Sequence, residues 1–229
     1  MAYFQTFKNI RLSKTTQSVL LLIAVCLGLL IARMLISHSR SFTFLAWNLF
    51  LAWLPLYFSL IARRLVAKTN TIEGRLLVLS QVALWFLFFP NAPYIITDLL
   101  HLQGHENTSL WFDSLMIFMF ALTGLMMGIY SLKATQDVFE QLIGRTKTQF
   151  LIPFCLLLSG FGIYLGRYSR WNSWDIVFNP KGLMIDIYHQ TQNPAAIKVS
   201  LAFGGVLILC YWAFLILRND ERTENVTKL

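Results

Sequence analysis

Stretches of about twenty mostly apolar residues recur along this chain, and that length is what a helix needs to cross a hydrocarbon core of roughly 30 Å. They fall at 17–37, 42–62, 76–102, 111–132, 149–167 and 197–217. Backbone N–H and C=O groups find no water in such a core, so each stretch must close its hydrogen bonds within itself, as a helix. The expected fold is all-α, an integral membrane bundle of six transmembrane helices forming one polytopic domain over 1–229. The composition agrees: 56% of residues are apolar and 13% charged, against about 25% charged in an ordinary soluble domain.

The net charge of +8 does not point to nucleic acid. The basic residues sit in short stretches between apolar segments, and no basic helix face with interleaved aromatics is present. Their placement speaks to orientation instead. Thirteen of the 19 Lys and Arg residues fall on the side of the two termini and six on the other, so the positive-inside rule predicts cytoplasmic N- and C-termini. The segment 168–196 then faces outward. Lys8, Arg11 and Lys14 precede the first apolar run as in a signal peptide. That run is too long for a signal core and lacks a small-x-small cleavage site, so an uncleaved first membrane helix is expected. Cys26, Cys155 and Cys210 all lie inside apolar segments without a CxxC spacing, and read as small buried hydrophobes.

The third stretch is interrupted. Its run FFPNAPYIITDLLHL, residues 88–102, places Pro90, Asn91, Ala92 and Pro93 before Thr97, Asp98 and His101. Two prolines remove two backbone donors and disfavour helix at the residues before them. From Arg75 to Pro90 is about 22 Å of helix at 1.5 Å per residue, which puts the break in the outer third of the membrane. Such a break is tolerated only where it is buried in protein or lines a wet cavity. If helix resumes beyond it, Asp98 and His101 share a face and can serve as an acid–base pair or as ligands of a metal whose identity the sequence leaves unknown. The plainer reading is that Asp98 caps or salt-bridges and His101 sits among headgroups. Asp113, in SLWFDSL, either favours the positive end of its own helix or joins Asp98 across the short 103–110 connection.

A second dense cluster is GIYLGRYSRWNSWD, residues 162–175. Arg167 and Arg170, followed by Asn172, Ser173 and Asp175 between two tryptophans, can pair with Asp98 or Asp113, or hold an anionic headgroup or phosphate. The bland alternative is a belt of tryptophans with snorkelling arginines. Two GxxxG pairs, Gly124/Gly128 and Gly162/Gly166, read as close helix–helix contacts. The Ser-His-Ser-Arg link after the first stretch is short enough to predict a tight helical hairpin there.

Together FFPNAPYIITDLLHL, the following WFD and GRYSRWNSWD resemble the bacterial membrane proteins of domain-of-unknown-function family 1361, over nearly the whole chain. The resemblance implies a multi-pass protein of the bacterial plasma (inner) membrane, with no established activity. Its signature positions here are Pro90, Asn91, Pro93, Tyr94, Thr97, Asp98 and His101, with Arg167, Arg170, Trp171, Asn172, Ser173, Trp174 and Asp175. His105 falls outside the pattern. The expected function is binding or passing an anionic or lipid-like ligand at an outward polar site built from Asn91, Tyr94, Asp113, Arg167, Arg170, Asn172, Ser173 and Asp175. An outward-facing enzyme using Asp98 and His101 on a lipid or envelope precursor, and a non-catalytic partner subunit, are the alternatives. No Gx-Ser-xG, HExxH or phosphate-loop motif supports a named enzyme class, and the sequence leaves any cofactor unknown. Membrane lipids are the expected partners, with no nucleic acid.

Overall fold

The structure, a computed structural model, describes residues 14–102 and 110–227, with the side chains of 68, 101–102 and 219–227 left undescribed. Among the described residues every regular element is helical: α1 (Lys14–Ser37), α2 (Phe44–Leu65), α3 (Ile72–Phe88), α4 (Asn91–Tyr94), α5 (Leu110–Ile143), α6 (Arg145–Tyr164), α7 (Asp175–Phe178), α8 (Pro180–Thr191) and α9 (Pro194–Thr227). Six spans are long and apolar enough to cross a membrane, with the third running from Ile72 to Leu100 through the break. Pro55 and Pro153 lie inside α2 and α6 without ending them. With six crossings, α1 begins and α9 leaves at the same end, called here the terminal end; the opposite one is the motif end.

α5 is the hub. It packs against α1, α2, α4 and α6, and most of its first twenty-odd residues are buried, among them Met116, Ile117, Phe120 and Met127. It runs well beyond the expected 111–132, to Ile143, where Gly144, at φ 84°, turns the chain into α6. A left-handed backbone of this kind is cheap only for glycine.

The hairpin expected between the first two helices is not the contact that forms. The link is short and carries His38 at φ 51°, but α1 lies along α5. The reason is chemical. Arg33 of α1 is 2% exposed and needs a buried carboxylate, which α5 supplies as Asp113, while Cys26 meets the Thr123 hydroxyl of α5 at 3.2 Å.

α6 and α9 form the second close pair. Gly160 faces the Ser200 carbonyl and Gly204 faces Leu157, so an added Cβ at either position would strike backbone. Small residues let membrane helices approach this closely, and dispersion across the contact holds them there. The outward segment expected at 168–196 is largely structured as α7 and α8. Asn179 caps α8 by accepting from Gly182 N at 3.1 Å, with Pro180 in the first turn, a common N-terminal arrangement. Ile176, Val177, Phe178, Met184, Ile185 and Tyr188 on these two helices are exposed.

Candidate functional site

The break is buried in protein. α3 starts with Thr71 as N-cap, accepting from Gly74 N, and ends where Pro90 has no N–H to give. Ala92 N reaches the Phe89 carbonyl at 3.1 Å and Tyr94 N the Pro90 carbonyl at 3.1 Å. The chain then tightens into a 3-10 helix over Ile95–Leu102. Two carbonyls of the broken turn find side-chain donors. The Ser173 hydroxyl donates to Leu87 O at 3.0 Å, and Asn91 Nδ2 donates to Phe88 O and to Ser173 Oγ, both at 2.9 Å. Each buried carbonyl left without a donor would cost about 1–3 kcal/mol. Asn91 and Ser173, from the two separate motifs, therefore stitch the break shut.

The GxxxG pairs explain how the break fits. Ala92 rests against Gly124 and Gly128 of α5, where a Cβ on Gly124 would lie 2.5 Å from the Ala92 carbonyl oxygen. Pro90 lies on Gly162, and the Tyr94 ring lies on Gly166. The glycines expected to seat helix on helix instead seat the proline turn between α5 and α6.

Below the turn, Asp98 is 1% exposed. Its Oδ2 accepts from Asn48 Nδ2 of α2 at 2.8 Å, and its Oδ1 faces Arg167 Nη1 at 3.4 Å. Arg167 lies in a single π-helical turn, Leu165–Ser169, that continues α6. Such turns are frequent at functional sites because they re-aim a side chain. Arg170 follows in the left-handed conformation, φ 60°, and is exposed; it makes no ion pair among the described residues. Thr97 is buried and returns its hydroxyl to Tyr94 O at 2.7 Å.

Asp113 takes a different partner. Its oxygens face Arg33 Nε and Nη2 at 3.2 and 3.4 Å. The guanidinium also donates to Ser37 Oγ at 2.8 Å and stands 4.7 Å over the Phe42 ring. The two carboxylates expected to share a site are thus held by separate arginines.

The remaining predicted residues serve the local frame. Asp175 accepts from Asn172 N at 2.7 Å, closing the turn into α7. Trp174 meets Trp47 of α2 edge-on at 6.2 Å. Trp171 donates to Asp186 Oδ2 at 2.8 Å, and Gln190 to Asp186 Oδ1 at 3.1 Å. Tyr164 and Asn193 complete the network around Gln190. Burial raises the Asp186 carboxyl pKa, but hydrogen bonds from Gln190, Ser169 and Trp171, with His189 nearby, outweigh that and hold it below the usual value. The side chain of His101, and all of His105, lie outside the described residues. Among the described residues no three His, Cys, Asp or Glu side chains gather as metal ligands would.

Sequence reasoning missed Asn48, Arg33, Asp186 and Gln190. Asn48 and Arg33 each stand alone in an apolar span, which is itself a signal, since a polar group at membrane depth needs a named partner. Asp186 and Gln190 are four apart on one helix face.

The family model described as "Protein of unknown function (DUF1361)" matches residues 47–210, a range that holds the whole break, Asp98, both arginines of the second motif and α8. No similarity to a curated protein or to a solved structure was found.

Proposed function

The chain belongs to the DUF1361 family, and for it we propose a binding function: an anionic, phosphate-bearing headgroup is held at the motif end by Arg167 and Arg170. The observation that carries this is the Arg167–Asp98 contact, which joins the two motifs across 69 residues of sequence. A carboxylate buried between α2 and the 3-10 turn fixes the arginine's position before any ligand arrives. Preorganisation of that kind is what a binding group needs. Arg170, three residues on in sequence and exposed, is available as a second cation. Planar guanidinium groups match phosphate oxygens in paired hydrogen bonds. Both oxygens of Asp98 accept from neighbours, as the oxygens of a counter-ion to Arg167 do.

The proposed setting is the bacterial plasma membrane with both termini cytoplasmic, supported by the distribution of basic residues. Single cysteines at Thr69 and Asn179, in a background without the native three, test it. An impermeant thiol reagent should label only the Asn179 site in intact cells, and labelling at Thr69 reverses the orientation. For binding, the purified protein is given a phosphatidylglycerol/phosphatidylcholine mixture and analysed by native mass spectrometry. Arg170→Gln should lower the count of retained phosphatidylglycerol by one. An unchanged count sinks the proposal.

A further inference from the structure

At the terminal end the bundle is open. α1 leans on α5, and α9 follows α6, so a cleft of about 1170 Å³ remains between α1, α2, α5 and α9. It exceeds the roughly 300–1,000 Å³ of ordinary ligand pockets. Its walls are apolar or aromatic, with Leu20, Ile23, Leu56, Tyr57, Tyr130 and Phe214 among them. Its rim is basic and comes from three helices: Arg63 and Arg64 of α2, Lys133 of α5 and Arg218 of α9. Among the described residues one carboxylate answers them. Asp137 lies 2.6 Å from Lys133 and 3.7 Å from Arg63, which leaves Arg64 and Arg218 outside any ion pair among the described residues. Beyond this cleft, the Tyr211 hydroxyl bonds to Gln136 Oε1 and ties α9 to α5.

We propose that this cleft binds one anionic phospholipid, its phosphate between Arg64 and Arg218 and its acyl chains against the apolar walls. Three features select this occupant. The walls lie at membrane depth, where a soluble anion has nothing to gain from them. The two cations of the rim carry fork-shaped donors that suit phosphate. Basic pockets between membrane helices at the interface are a known design for anionic headgroups. The site is separate from the Arg167–Arg170 proposal, since the two stand at opposite ends of the bundle.

The test measures lipid retention by native mass spectrometry, from an equal mixture of phosphatidylglycerol and phosphatidylcholine with matched chains. The wild type should keep phosphatidylglycerol over phosphatidylcholine by about tenfold or more. Arg64→Gln with Arg218→Gln should lower the retained count by one, and so should Leu20→Trp, which narrows the cleft without touching a charge. Arg64→Lys with Arg218→Lys keeps the charge and should keep the lipid. Arg170→Gln should leave this binding event in place, so a failure of the earlier proposal is distinguishable from a failure of this one. Equal retention of the two lipids overturns the proposal, as does an unchanged count in both the Gln and the Trp variants. Displacement of the lipid by millimolar inorganic phosphate would mark a free-anion site and overturn it as well.

Discussion

Among the described residues two arginine–carboxylate pairs have a buried acid, and they differ in access more than in distance. Arg33 and Asp113 join α1 to α5 at 3.2 Å with side chains only 2% and 4% exposed, under the Phe42 ring. Arg167 and Asp98 join the π turn to the 3-10 turn at 3.4 Å, with the carboxylate 1% and the arginine 14% exposed. In the first pair both partners are sealed, and the contact fixes which helix α1 lies against. In the second only the acid is sealed. The same chemistry is a fastener in one place and, in the other, holds an arginine that keeps part of its surface exposed.

The largest effect expected is on the sealed pair. Removing one partner of a buried ion pair typically costs about 3–5 kcal/mol, because the other charge is left uncompensated. Asp113→Ala should therefore unfold at markedly lower temperature in detergent, followed by circular dichroism. Arg33→Met combined with Asp113→Leu should recover most of the loss. A small cost for Asp113→Ala would remove the distinction between the two pairs. The open pair should respond less in stability and more in binding. Asp98→Asn keeps the Asn48 neighbour but loses the charge, at about 1.5–3 kcal/mol for a charged hydrogen bond. Its loss of retained anionic lipid should match that of Arg170→Gln.

Two smaller effects sharpen the contrast. Ser173→Ala leaves the Leu87 carbonyl without its donor, at about 1–3 kcal/mol for a buried group left unsatisfied. Amide exchange should quicken across 89–98 and stay unchanged in the first turns of α5. The smallest effect is a pH dependence. The folded Asp186 pKa lies below the unfolded value of about 3.9. Its stabilisation is therefore complete above that unfolded value and is lost as pH falls through the lower folded one. Trp171 fluorescence should change in that acid range. Asp186→Asn should abolish the change while leaving the Arg33–Asp113 contact alone.

The spans were legible because length and hydropathy are local, and the break because proline chemistry is local too. That an arginine of the second motif would pair with Asp98 or Asp113 follows from the cost of leaving such charges unpaired at depth, and the fold selects Asp98. What fills the space around a break is not local. The four glycines of the GxxxG pairs carry the same sequence signal whether they face a helix or a proline turn, and only the fold distinguishes Ala92, Pro90 and Tyr94 as their partners. Arg33 was readable as a topology charge and Asp113 as a helix-start acid. Eighty residues separate them, and neither span's pattern names the other. The segment 168–196 reads as a loop because α7 and α8 are short and mixed in polarity, with their order coming from the Asp186 network.

The seat of the proline turn has a consequence for how the protein is made. Chains leave the ribosome N-terminus first, and the turn at 90–94 emerges before either groove that receives it, at Gly124/Gly128 or Gly162/Gly166. The serine that closes its open carbonyl, Ser173, comes later still. Until some eighty further residues have been added, the part of the third span beyond the break has no finished place to rest. The turn can be fully seated only once both grooves and Ser173 have been made, and a chain halted after α5 would lack the second groove and the serine.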